Sequence, residues 1–149
     1  MSRLSGPIKD EIITILQELK DADIIGAYLA DDLSPNPLSM DFPGYPCIVL
    51  GMCSQESGYE TNQQNMRTYE YPLLIVARPD SYKNDPKGFE NFIDDISDAF
   101  DNKFDLNGKA NGGVDATFTR PAPINSSDNT YLVTFAIIRA RAVVDLTLN

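Results

Sequence analysis

The chain has 149 residues, 42% of them apolar and 23% charged, the balance of one folded domain with a sizeable core rather than of a disordered segment. Its 22 acidic side chains against 12 basic ones leave a formal charge of −10, which argues against a phosphate-binding or membrane-binding surface, since both need clustered Lys and Arg. There is no histidine, so Ser–His and Cys–His nucleophile pairs and His-containing zinc sites are excluded outright.

In chain order, the apolar spacing of Ile8, Ile12, Ile15, Leu16 and Leu19 predicts an amphipathic helix over residues 7–25, with Pro7 in its first turn and Ser5 or Gly6 as its cap. Residues 31–44 carry Pro35, Pro37, Pro43 and Gly44 and read as a Pro-rich loop inside one domain. Residues 45–52 are a strand candidate centred on Ile48, Val49 and Leu50. Residues 54–65 show no apolar periodicity and read as a long polar loop or hairpin tip, taken to residue 67 as a loop, of which residues 58–67 are expected to be an assembly element. Residues 66–78 alternate as a strand, with Tyr69, Tyr71, Leu73, Ile75 and Ala77 on one face. Pro72 cannot donate to a ladder, so this strand is expected at an edge or bulged there.

Asp85 followed by Pro86 marks a helix start, and Phe89, Phe92, Ile93, Ile96 and Phe100 form the apolar stripe of a helix over 85–101. Asn107-Gly108 and Asn111-Gly112-Gly113 are turn signals. Residues 114–120 alternate as a strand that Pro121 and Pro123 end, and residues 130–146 form a long closing strand. No internal repeat is visible in the sequence. The expected fold class is α+β: a mainly antiparallel sheet of four or more strands, two helices packed on one face, order α-β-β-α-β-β, in a single domain over 1–149.

No chemistry-bearing pattern emerges. Asp94, Asp98 and Asp101 share a helical face, which reads as the solvated side of an amphipathic helix. Residues 94–105 lack the acid spacing, central Gly and final Glu of a calcium loop. The nearest Glu-x-Lys of a nuclease, Glu18-Leu19-Lys20, lies in the first helix. The glycines of residues 107–113 lack a Gly-Lys-Ser/Thr ending. The chain is therefore expected to be no enzyme and to hold no cofactor or metal. Cys47 and Cys53, about 20 Å apart along an extended strand, are expected to be reduced, as in a cytosolic product. The longest apolar run, residues 73–77, is too short to span a bilayer, and no secretory leader is expected.

The closing strand is more informative. One face reads Leu132, Thr134, Ala136, Ile138, Ala140, Ala142, Val144; the other reads Tyr131, Val133, Phe135, Ile137, Arg139, Arg141. Two helices cover one face of such a sheet, so a second face this apolar calls for a partner, or for the Pro-rich loop folded over it.

The ordered pieces resemble the tail terminator, or tail completion and head–tail joining, proteins of long-tailed phages. They are the opening helix with residues 12–19; Tyr45-Pro46-Cys47-Ile48-Val49-Leu50; Tyr59-Glu60-Thr61 followed by Asn65 and Arg67; the apolar strand 69–76; the helix 89–100; and Thr119-Arg120-Pro121-Ala122-Pro123 before the closing strand. The resemblance spans residues 7–146, with an insert at 29–42. It implies a structural virion protein, assembled in the host cytoplasm. The subunit would form a ring, a hexamer, at the head-proximal end of the tail tube, between the tail tube protein and the neck connector. DNA would pass through the lumen without specific binding, which an acidic subunit suits. A neck stopper or adaptor is the alternative reading, and a small acidic DNA mimic a further one. The expected assembly residues are Tyr59, Glu60, Thr61, Asn65 and Arg67 in the polar segment, and Tyr131, Val133, Phe135, Arg139 and Arg141 on the closing strand.

Overall fold

The computed structural model describes residues 4–30, 42–59, 64–78, 85–103, 105–126 and 129–145. The two helical stripes form as their spacing predicts. Helix α1, Ser5–Asp21, buries Ile8, Ile12, Ile15, Leu16 and Leu19, and helix α2, Pro86–Asp101, buries Phe89, Phe92, Ile96 and Phe100. The Asp85 carboxylate accepts the Gly88 N–H at 3.0 Å and caps α2. At α1 neither Ser5 nor Gly6 is the cap: Leu4 holds that position with no side-chain bond. The helix also stops at Asp21, short of residue 25, because the chain reverses through Asp23 at φ 59°.

The expected four-strand α-β-β-α-β-β arrangement is not what forms. Between and after the two helices lie seven strands: β1 Ala27–Ala30, β2 Cys47–Leu50, β3 Ser54–Tyr59, β4 Gln64–Ala77, β5 Gly113–Phe118, β6 Ala122–Ser126 and β7 Asn129–Asp145. They make one mixed sheet in the order β1-β2-β4-β7-β5, with β3 also on β4 and β6 also on β7. The sheet is mixed because β1 pairs with β2 in parallel. Three strands escape a reading by periodicity for physical reasons. At four residues, β1 is too short to show a period. All of Ser54 to Gly58 in β3 is exposed, so nothing apolar marks it, and what reads as loop is strand. In β6, Pro123 stands where a break is expected, on a strand that among the described residues pairs on one side only.

The spine of the sheet is the β4–β7 pair, in unbroken register from Gln64↔Asp145 to Ala77↔Leu132. Each spine strand is flanked by a bulged one. From Leu50 to Ser54 the chain takes one residue more than the facing stretch from Leu73 to Glu70, and from Phe118 to Ala122 one more than from Ala136 to Val133. Pro72 therefore sits in a central strand, not at an edge. It is tolerated because it faces the first bulge, where it only has to accept: its carbonyl takes the Gly51 N–H at 2.9 Å. The two halves share one plan (helix, bulged strand, hairpin, long strand) despite showing no repeat in sequence.

Tyr69, Tyr71, Leu73, Ile75 and Ala77 of β4 and Ala136, Ile138, Ala140 and Ala142 of β7 form the floor under both helices. Beyond the bulk of the core, the Tyr71 hydroxyl donates to the Ser5 carbonyl at 2.6 Å, and Lys103 reaches Glu18 at 3.2 Å to tie the end of α2 to α1.

Candidate assembly surfaces

The first group of expected assembly residues falls on the β3–β4 hairpin. Tyr59 is the last residue of β3 and pairs in register with Asn65, and Arg67 pairs with Ser57. Glu60 and Thr61 lie outside the described residues. Arg67, with Gln55 and Tyr69, lines an open groove of about 580 Å³ whose other wall is the first turn of α1, from Leu4 to Pro7. The Oδ1 of Asn65 is buried without a hydrogen-bond partner among the described residues.

The second group lies on the sheet face away from the helices, and the structure divides it into three zones. At one end, Tyr131 and Val133 are buried with Ala27, Cys47, Val49, Leu74 and Val76, under Phe42 and Tyr45. Tyr45 stacks on Tyr131 at 6.3 Å, Phe42 meets both rings edge-on at 5.8 Å, and the Arg78 guanidinium stands 4.6 Å over the Tyr45 ring. Burial holds the Tyr45 phenol above its ordinary pKa, helped by Tyr131 and opposed by Arg78. The end of the Pro-rich loop thus does cover part of this face; the rest of it, residues 31–41, lies outside the described residues. Tyr131 and Val133 are core here, not free surface.

In the middle the face is open. Phe135 is 52% exposed and Ile137 36%, although both stand on a central strand. Their cross-strand neighbours are Leu74 and Pro72, and Pro72 is exposed too. At the far end the face turns ionic. Arg139 Nε donates to Glu70 Oε1 at 2.9 Å, and Arg141 donates to Asp115 Oδ2 at 2.8 Å. Glu70, Arg139 and Asp115 stand in one row across β4, β7 and β5. The Glu70 carboxylate holds the Arg139 guanidinium above its ordinary pKa. Two acids and two bases cancel there, in a chain whose net charge is −10.

Pro72, Ile137, Glu70 and Asp115 complete this surface and are missing from the expected set. Ile137 was readable from the alternation of the closing strand. Glu70 and Asp115 were readable only from strand register, which sets both acids across from Arg139 and leaves Asp115 within diagonal reach of Arg141. The hairpin and the open face are different surfaces, since Arg67 and Gln55 stand on the helix side. Asp94, Asp98 and Asp101 are exposed on α2, and among the described residues no group of three or more potential ligands could hold a metal. Cys47 and Cys53 are both free thiols. Among the described residues no helix is long and apolar enough to cross a membrane. No family model matches the chain, and no curated protein matches it in sequence.

Proposed function

We propose that the chain is a structural, non-catalytic subunit of a phage tail, a ring-forming tail terminator that joins the tail tube to the neck connector. The observation that carries the reading is the open centre of the sheet, where Phe135 and Ile137 stand exposed on a central strand. A sheet with helices on one side ordinarily turns polar residues outward on the other, and an apolar centre with a charge-balanced rim is the make-up of a protein contact. In this reading the open face meets the tail tube or the connector, and the acidic surface elsewhere lets DNA pass without sticking. The ordered resemblance over residues 7–146 supports the same reading.

The test is electron microscopy of the purified protein together with counts of finished tails in infected cells. Rings with an open lumen are expected, and Phe135→Asp is expected to leave rings intact while reducing finished tails. Tails that finish normally when the protein is absent would sink the proposal.

A further inference from the structure

Two open edges of the sheet match each other. Among the described residues nothing pairs with the outer side of β3 or of β5. Natural edges are blunted by Pro, Lys or inserted charge; Ser54–Tyr59 and Gly113–Phe118 contain neither Pro nor Lys and only one acid each, Glu56 and Asp115, of which Asp115 is engaged by Arg141. Both are six residues long. The remaining edge on that side, β6, carries Pro123 and follows Pro121.

Hydrogen-bond direction follows from the bonds at each bulge. Pro72 accepts from Gly51, so β4 presents the polar groups of Glu70, Thr68 and Met66 to β3, and their partners Ser54, Glu56 and Gly58 bond inward. Gln55, Ser57 and Tyr59 therefore point their N–H and C=O groups outward. Likewise the Thr119 N–H donates to Phe135 at 2.8 Å, which turns Thr117 and Asp115 inward and leaves Val114, Ala116 and Phe118 pointing outward. Each edge thus offers three residues whose outward backbone groups have no partner among the described residues.

Direction matches as well. Because β3, β4, β7 and β5 are successively antiparallel, β3 and β5 run in opposite directions. A copy related by rotation about an axis inclined to the strands by well under a right angle would lay its β3 antiparallel to this β5. Gln55, Tyr69, Ala140 and Val114 stand in one row, but β3 lies level with residues 139–144 of β7 and β5 with residues 136–141, so the edges are staggered. Pairing Gln55, Ser57 and Tyr59 with Phe118, Ala116 and Val114 offsets neighbouring copies by four residues along the strands, an offset that a closed ring takes up as strand tilt.

We propose that copies of this chain join head to tail by adding β3 of one to β5 of the next, making one sheet continuous around a closed ring. The proposal rests on the ring reading above and assigns its subunit junction, leaving the Phe135 face for a different neighbour.

The test uses the full chain with two substitutions that each remove one outward N–H, Ser57→Pro and Ala116→Pro. In sedimentation each variant alone is expected to be a monomer, because every junction then lacks one edge. An equimolar mixture is expected to stop at a dimer, since only one good β5 meets one good β3. Circular dichroism checks the fold. On the wild type, hydrogen exchange provides an independent readout: the amides of Gln55, Ser57, Val114, Ala116 and Phe118 should exchange about tenfold more slowly in the assembly than in the dissociated chain. Rings that persist in either variant, dimers formed by either variant alone, or unchanged exchange at those amides would overturn the edge-to-edge junction and leave the ring reading standing. A wild type that stays monomeric at every concentration would overturn both.

Discussion

The Tyr71 hydroxyl donates a 2.6 Å hydrogen bond to the Ser5 carbonyl, joining the centre of the sheet to the first turn of α1 across 66 positions of sequence. Tyr71 is fully buried, and burial pushes its phenol well above the ordinary range. In the unfolded chain the same group ionises near pH 10. The folded state therefore holds the proton more tightly, and its contribution is complete below about pH 10 and lost as pH rises further. Stability is expected to fall steeply in alkali, and Tyr71→Phe to lose about 0.5–1.5 kcal/mol at neutral pH while flattening the alkaline fall. Denaturant melts of both proteins from pH 7 to 11 measure this; parallel curves would refute the role of the phenol.

Burial acts on Cys47 in the same sense, pushing its thiol up to about 11. It lies within the sheet face covered by Phe42 and Tyr45, whereas Cys53 is half-buried. An alkylating reagent at pH 8 is expected to modify Cys53 first, and Cys47 only at the rate of unfolding. Mass spectrometry of peptides over time decides the order, and equal rates would contradict it.

Phe92 is 5% exposed and packs edge-on to Phe89 at 5.7 Å beneath α2. Phe92→Ala is expected to cost about 3–5 kcal/mol in chemical denaturation, the cost of a large cavity in a core that relaxes little. A loss below about 1 kcal/mol would mean that the stripe does not anchor the helix.

Thr134 is completely buried, and its hydroxyl has no hydrogen-bond partner among the described residues. It stands across from Ile75, in an apolar part of the sheet. Thr134→Val keeps the shape and removes a polar group that burial penalises, so a gain of about 1 kcal/mol is expected. Destabilisation by the substitution would show that the hydroxyl has a partner.

Gly26 packs directly on the backbone of residue 45. A Cβ at position 26 would lie 2.6 Å from the Tyr45 carbonyl oxygen and 2.7 Å from its nitrogen. Neither atom can swing aside as a side chain could. Gly26→Ala is expected to cost about 1–3 kcal/mol and to loosen the aromatic cover of Tyr131. Near-ultraviolet circular dichroism reports that loosening; an unchanged spectrum at wild-type stability would refute the close approach.

Local chemistry determined a good part of this protein in sequence alone. The stripes of α1 and α2 are legible because an apolar face repeats every three or four residues and each helix is long enough to show it. Asp85-Pro86 marks the start of α2 because capping acts over three residues. The two-sided apolar character of the closing strand is legible too, and Phe135 and Ile137 do stand exposed on it.

Tertiary structure decided the rest. The hydrophilic run Ser54–Tyr59 becomes a strand only because β4 supplies its ladder, and the short run Ala27–Ala30 only because β2 does. Pro72 is central rather than marginal because a bulge on the facing strand asks it for a carbonyl and no N–H. Tyr131 and Val133, alike in sequence to Phe135, are buried because Leu29, Phe42, Tyr45 and Ile124 pack on the cluster that holds them, with Phe42 and Tyr45 against Tyr131 itself. Glu70 and Asp115 meet Arg139 and Arg141 through strand register, and register is set by bulges and pairing partners that local periodicity does not carry.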